Sequence, residues 1–311
     1  MKDKPAKSEE KTQPKVVAGI KQGQYSDGHP LDTIEYLEAK IILKGDRFTS
    51  VQSFHDFAKV VRDTADQTDV GYSTKEFDGI RPQIREVLFL DTSDFRLYNN
   101  AFILRHRLLY EDGFPVGDPE IVFKFRHPDI QTAAEMDVRP NIAGNYEIKF
   151  KVEALPLKEE IGGMRMLYSH NVQFPLSQAH VGDRTAMSTL VHAFPPLRAL
   201  KTSAGERVEL VNHTAVAEVL LDIARLDFGK GTEAKSNVAI WRTRGDMKQL
   251  IGEFAFQCKF KRGDEFHAKA KKRAEQFFIS LQHLAQDWVE LGKTKTAAVY
   301  RLKGNPPQAH E

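Results

Sequence analysis

Cationic side chains recur in pairs two residues apart along this chain: Arg105 and Arg107, Lys124 and Arg126, Lys149 and Lys151, with Lys40 upstream of them. Two-residue spacing puts both members of a pair on one face of an extended strand. Side by side such charges repel, so they make most sense around a multivalent anion or interleaved with carboxylates. Arginine's planar fork offers a phosphate two parallel hydrogen bonds, and lysine adds a compact charge. Carboxylates stand in the same rows: Glu38 two residues before Lys40, Glu153 two after Lys151, and Glu253 far downstream. A hard divalent cation binds through one or two carboxylates plus phosphate oxygens. Glu38 and Glu253 are therefore candidate metal ligands; the plainer alternative pairs each with a nearby lysine or arginine. The plainer alternative for the rows themselves is the solvated face of an antiparallel sheet. Paired cations on separate strands argue instead that the charged rows meet inside one closed sheet around a polyanion.

The strands that must carry these rows are legible from alternation. Ile34 to Lys44 places Tyr36, Glu38 and Lys40 opposite Leu37, Ala39, Ile41 and Leu43. Thr49 to Gln52 has the form of a capping box, and Phe54, Phe57, Val60 and Val61 follow at helical spacing to about Asp66. Strands are expected over Ile84 to Asp91, Ala101 to Tyr110, Ile121 to Arg126 and Tyr146 to Glu153, with a shorter one through Glu135, Asp137 and Arg139. Between Ala154 and Pro196 the pattern is weak, and loops with short helices are expected. Strands resume at Leu197 to Lys201, Val208 to Val211, Ala217 to Asp227, Asn237 to Arg242 and Leu250 to Phe260. Asp264 is placed to cap a last helix whose stripe of Phe266, Ala270, Phe277, Leu281, Leu284 and Trp288 needs a sheet face to cover.

Composition sets the bounds. The 311 residues are 41% apolar and 28% charged, as in a globular protein. Forty-five Lys and Arg against 43 Asp and Glu leave a formal charge of +2, which gives no bulk positive field for nucleic acid. One cysteine, Cys258, rules out an intramolecular disulfide framework and fits a reducing compartment. Residues 1–30 read as a polar disordered tail without the apolar core of a signal peptide, 31–292 as one barrel domain, and 293–311 as a second tail. No apolar run is long enough to span a membrane, and a cytoplasmic location is the expectation.

Several pieces, in order along the chain, carry a family resemblance. Leu-Glu-Ala-Lys at 37–40, Phe-Leu-Asp-Thr at 89–92, Leu-Arg-His-Arg at 104–107, Phe-Lys-Phe-Arg at 123–126 and Gly-Glu-Phe-Ala-Phe at 252–256 resemble the CYTH, or triphosphate tunnel metalloenzyme, pattern. The resemblance implies an α+β fold: a closed eight-stranded antiparallel β-barrel, its tunnel holding a triphosphate-containing small molecule or polyphosphate with Mg²⁺ or Mn²⁺, and helices packed outside. It implies Lys40, Arg105, Arg107, Lys124, Arg126, Lys149 and Lys151 as phosphate ligands, the first three of them catalytic. It implies Glu38, Glu253, Glu153 and Asp137 as metal ligands, with Glu135 as a further acidic candidate. Two departures bear on chemistry: the family's opening Glu-x-Glu-x-Lys is here Tyr36-Leu-Glu38-Ala-Lys40, and its closing acidic pair is Glu253-Phe-Ala255. Each end lacks one carboxylate, which weakens the site that would neutralise phosphoryl charge and activate water.

Three functions stay open on these grounds: hydrolysis of a linear triphosphate, a class IV-type adenylate cyclase reaction in the same tunnel, and a non-catalytic module that keeps the ligand without the chemistry. Other signals are set aside. Phe228 to Thr232 lacks phosphate-loop spacing and reads as a turn, and His106 and Cys258 fall on apolar strand faces.

Overall fold

The computed structural model describes residues 23–179, 182–259 and 267–303. Its strands are β1 (Tyr36–Leu43), β2 (Gly71–Ser73), β3 (Gln83–Asp91), β4 (Phe102–Glu111), β5 (Phe114–His127), β6 (Glu147–Leu155), β7 (Arg165–Pro175), β8 (Glu209–Leu210), β9 (Val216–Asp227), β10 (Glu233–Thr243) and β11 (Gln249–Lys259). The order β9-β10-β11-β1-β6-β7-β5-β4-β3 closes on itself through a β3–β9 pairing, while β2 and β8 extend the rim. The sheet is thus a closed barrel as expected, with nine strands in the ring rather than eight. It is also not wholly antiparallel: β1 and β6 run parallel, Glu38 beside Glu153. The two differences are one, because strands cannot alternate in direction all the way round a ring of odd number.

The additional strand is β7, inside the stretch where alternation fails as a guide. Its inward row follows Arg165 and Leu167 with Ser169, Asn171 and Gln173, polar but uncharged, and His170 stands on the outer face. Elsewhere the short expected strands give way. Ile130–Glu135 is a helix, with Asp137 and Arg139 beyond it off the strands, and Pro195–Ala199 is a 3₁₀ turn.

Outside, helices cover the apolar faces. We number them α1 (Val51–Gln67), α2 (Arg96–Asn99), α3 (Ile130–Glu135), α4 (Met187–Ala193), α5 (Ala268–Leu284) and α6 (Lys295–Tyr300). Phe54 and Phe57 of α1 and Phe277 and Leu281 of α5 pack on Ile41, Leu226, Phe254 and Phe256 of the barrel wall. His267 caps α5, by accepting from the Lys269 amide; Asp264 and Phe266 lie outside the described residues, and Leu284 faces solvent. His106 lies on the outer wall near Leu190 of α4, where burial pushes its pKa down to about 4 and keeps it neutral.

Both expected tails contribute structure. At the N-terminal side Tyr25 is buried and Gln24 bridges to Pro30. At the C-terminal side Val299 and Tyr300 of α6 pack against an apolar plug made of Ile42, Phe89, Ile103, Trp241 and Ile251. The plug fills one end of the barrel. These residues continue the inward rows of their strands, so the charged positions begin directly above them. Among the described residues no helix is long and apolar enough to cross a membrane.

Candidate functional site

Register fixes which side chains share the interior. Lys40 is opposite Ala255, Glu38 opposite Gln257, Lys151 opposite Ser169, Lys124 opposite Asn171, and Phe89 opposite Arg105. The face that turns away from these residues is buried under α1 and α5 on β1 and β11 and under α4 on β4 and β5, so one alternation both builds the outer core and points charge inward. Lys40, Arg105, Arg107, Lys124, Arg126, Lys149 and Lys151 all project inward from β1, β4, β5 and β6.

The deepest cluster is centred on Glu153, which is 1% exposed. Its Oε1 accepts from Lys124 Nζ at 2.7 Å and Ser169 Oγ at 2.8 Å and lies 3.2 Å from Lys40 Nζ; its Oε2 is 3.3 Å from Arg126. A carboxylate this deep is tolerated only when paired. Burial would raise its pKa, but Arg126, Lys124 and Lys40 hold it well below the usual range. Glu38 is held the same way, at about 2, by Lys40 at 3.0 Å and by Lys151 at 3.5 Å.

Cations are in excess here, and the excess falls unevenly. Lys40 draws on two carboxylates, and its pKa is raised despite burial. Lys124 has only its share of Glu153; burial, then Arg126, pushes it down to about 7. On the adjacent strand Arg105 has no carboxylate within ion-pair distance among the described residues, and its buried Nε has no hydrogen-bond partner. Burial, then Arg107, lowers its pKa to about 10, while Glu218 and Glu120 favour its charge from beyond contact. Arg107 itself pairs with Glu120. In the β4–β5 register Arg105 is diagonal to Lys124, a separation of roughly 7–8 Å that long side chains close easily.

Nearer the mouth, Lys149 pairs with Glu147 at 3.0 Å. Tyr36, which stands where the resemblance has a glutamate, lies between two ammonium groups, Lys151 at 5.4 Å and Lys259 at 5.3 Å from its ring centre. The residues that alternation alone does not single out are Arg85, Glu218, Ser169 and Lys295. Arg85 and Glu218 form an ion pair at 3.5 Å between β3 and β9. Both lie on strands recognised from sequence, but as single charges rather than pairs. Ser169 gives no signal because its strand does not.

The carboxylates named for a metal are not gathered. Glu38 and Glu153 face each other with Lys40 bridging them, Glu253 is four positions away along the β1–β11 register and binds Lys295 at 2.7 Å, and Asp137 pairs with Arg139 at 2.5 Å off the strands. Glu135 ends α3 and accepts from Gln131. Among the described residues no three acidic, histidine or cysteine side chains converge on a common point. As arranged, with every tunnel carboxylate held by an ammonium or guanidinium group, these residues do not fit a resident Mg²⁺ or Mn²⁺.

No family model matches the chain, and no curated protein matches it. Among solved structures it is similar to a candidate adenylyl cyclase from Hippeastrum described as having a dominant triphosphatase activity. The identity is 12% and the TM-score 0.41, over 89% of this chain and 100% of that one. It is also similar to a candidate adenylate cyclase from Bacillus halodurans, at 11% identity and a TM-score of 0.36 over 87% of this chain and 98% of that one. A third likeness is to a protein from Pyrococcus horikoshii, at 12% identity and a TM-score of 0.32 over 84% and 96% of the two chains. Similarity at this level assigns no activity. In its closure and its inward charged rows, the barrel is of the kind that the CYTH, or triphosphate tunnel, resemblance implies.

Proposed function

We propose that the tunnel binds a linear triphosphate and hydrolyses it, water adding at the terminal phosphorus as the phosphoanhydride bond breaks to give orthophosphate and pyrophosphate. The observation that carries this reading is Arg105: a partly buried guanidinium inside a barrel, its Nε buried without a hydrogen-bond partner, beside Arg107 and Lys124 and with no carboxylate of its own. A protein bears the cost of such a charge where a ligand supplies the counter-charge. Lys40, Arg105 and Arg107 are assigned to the reacting phosphoryl group, and Lys124, Arg126, Lys149 and Lys151 to the rest of the chain of phosphates. Catalysis of this kind rests on positioning and on stabilising developing charge.

A second reading has a specific observation in its favour. Tyr36 and Ala255 stand where the resemblance has carboxylates, and the acidic residues that remain are already paired. A module that binds triphosphate without hydrolysing it fits these facts too. The test is to incubate the protein with inorganic triphosphate, with and without Mg²⁺ or Mn²⁺, and to measure phosphate release and binding in wild type and Lys40→Ala. Release that is lost in Lys40→Ala is the expected result. Binding that weakens in Lys40→Ala with no release by either protein selects the module, and no binding by wild type sinks both.

A further inference from the structure

Lys295, the first residue of α6, enters the barrel from the plugged end. Its Nζ lies 2.7 Å from Glu253 Oε1 and 3.4 Å from Glu218 Oε1, and 5.0 Å from the ring centre of Trp241. The indole Nε1 of Trp241 donates to the same Glu218 oxygen at 2.8 Å. Glu218 is on β9 and Glu253 on β11, with β10 between them. In that register Glu218 is beside Trp241 and Glu253 beside Ala239, so the small Ala239 leaves the space that the lysine side chain takes.

The helix that delivers Lys295 is pinned at both ends. Thr294 Oγ1 accepts from the Ala297 amide at 3.1 Å, Asn212 Nδ2 donates to the carbonyls of Val299 and Tyr300 at 2.7 and 3.0 Å, and Tyr300 Oη donates to Asp91 at 3.0 Å. The ammonium group is therefore positioned before any ligand arrives. Both carboxylates are nearly inaccessible, at 4% for Glu218 and 6% for Glu253. Arg85 lies 3.5 Å from the other oxygen of Glu218, Oε2, but Lys295 is the cation the two carboxylates share, and without one between them they would repel.

We propose that Lys295 is a built-in counter-cation for Glu218 and Glu253, holding the place a divalent metal ion would otherwise take, so that the ligand-free tunnel keeps no resident metal. The assignment deepens the triphosphate reading, from which it takes the tunnel's purpose, but its test is independent of that purpose. A tethered ammonium needs no capture from solution, and it leaves the excess cations on β4 and β5 facing the ligand.

The experiment is a titration of the metal-free protein with Mn²⁺, followed by the loss of the free-ion electron paramagnetic resonance signal. Wild type and Lys295→Arg are expected to leave the signal unchanged at near-equimolar metal. Lys295→Ala, checked for folding by circular dichroism, is expected to bind about one Mn²⁺ at least tenfold more tightly than wild type, and Lys295→Ala/Glu253→Gln to lose it again. Stoichiometric Mn²⁺ on wild type, weakened by Glu253→Gln, overturns the proposal, as does a folded Lys295→Ala that binds no better than wild type. The wild-type arm decides even where the alanine variant does not fold. Calorimetry with tripolyphosphate in a chelator and in Mn²⁺ runs beside it. Absence of binding in both counts against the triphosphate reading and leaves the Mn²⁺ result to judge Lys295 alone.

Discussion

Arg105 and Lys124 differ from the other tunnel cations in having too little negative charge nearby, and both consequences are measurable. Arg105→Ala removes a charge-assisted contact worth roughly 1.5–3 kcal/mol, so tripolyphosphate affinity by calorimetry is expected to fall about ten- to a hundredfold. Thermal stability should barely drop, since the guanidinium has no ion pair to lose; a large drop would mean that Arg105 holds the barrel together instead. Lys124 carries a pH signature. Its folded pKa, at about 7 against 10.5 unperturbed, means that between these values the folded protein holds fewer protons than the unfolded chain. Its contribution to stability therefore rises with pH across that window, and the cost of burying the charged form is fully present below it. A bound polyanion reverses the preference by favouring the ammonium. Tripolyphosphate binding at pH 8 is thus expected to take up a proton at Lys124, seen as a dependence of the binding enthalpy on buffer ionisation that shrinks in Lys124→Met. Equal dependence in the two proteins would assign the proton elsewhere.

Among the elements, the plugged end depends on one side chain. Asp91 ends β3 with both oxygens doubly used: Oδ1 accepts from the amides of Thr92 and Leu97 at 2.7 and 2.8 Å, and Oδ2 from the Tyr98 amide and Tyr300 Oη at 2.9 and 3.0 Å. It thereby ties β3 to α2 and α6, and Tyr98 stacks on Tyr300 at 4.1 Å. Asp91→Asn turns one acceptor into a donor facing two donors. A loss of about 2–4 kcal/mol in urea denaturation is expected, from one or two buried groups left unsatisfied. Tyr300→Phe, which removes one donor and keeps the ring stack, should cost about 1 kcal/mol. If the two variants were equal, the Asp91 contacts to α2 would be of no consequence.

For the whole molecule, a near-neutral total of +2 conceals a separation of charge, with cations concentrated inside the barrel and mixed charge outside. Interior repulsion is then a standing cost that a polyanion relieves. A ligand at a hundred times its dissociation constant adds about 2.7 kcal/mol, so tripolyphosphate is expected to raise the melting temperature by several degrees. Orthophosphate, with less charge and fewer oxygens to share among the cations, should raise it less at equal concentration. An identical shift from both would point to a single-phosphate site and against a chain of phosphates laid between β4, β5 and the Glu153 cluster.

Sequence by itself determined the strands with charge on one face and apolar residues on the other, because a period of two is written directly into side-chain order. It also determined that Lys40, Arg105, Lys124 and Lys151 share the inner face of whatever sheet forms, since register cannot slip by one residue without burying the charge and exposing the core. What it left unwritten is what depends on pairing between distant strands. β7 is recognisable only once closure demands it, for Ser169 and Asn171 alternate without charge. The odd ring and its parallel β1–β6 pair follow from that strand's insertion. The partner of Glu253 is likewise a tertiary fact: Lys295 belongs to a short segment whose helix is fixed by Asp91 and Asn212, far away in sequence. Local pattern sets which face a side chain takes; only the closed barrel decides which charges meet, and so whether a carboxylate finds a lysine or is left for a metal.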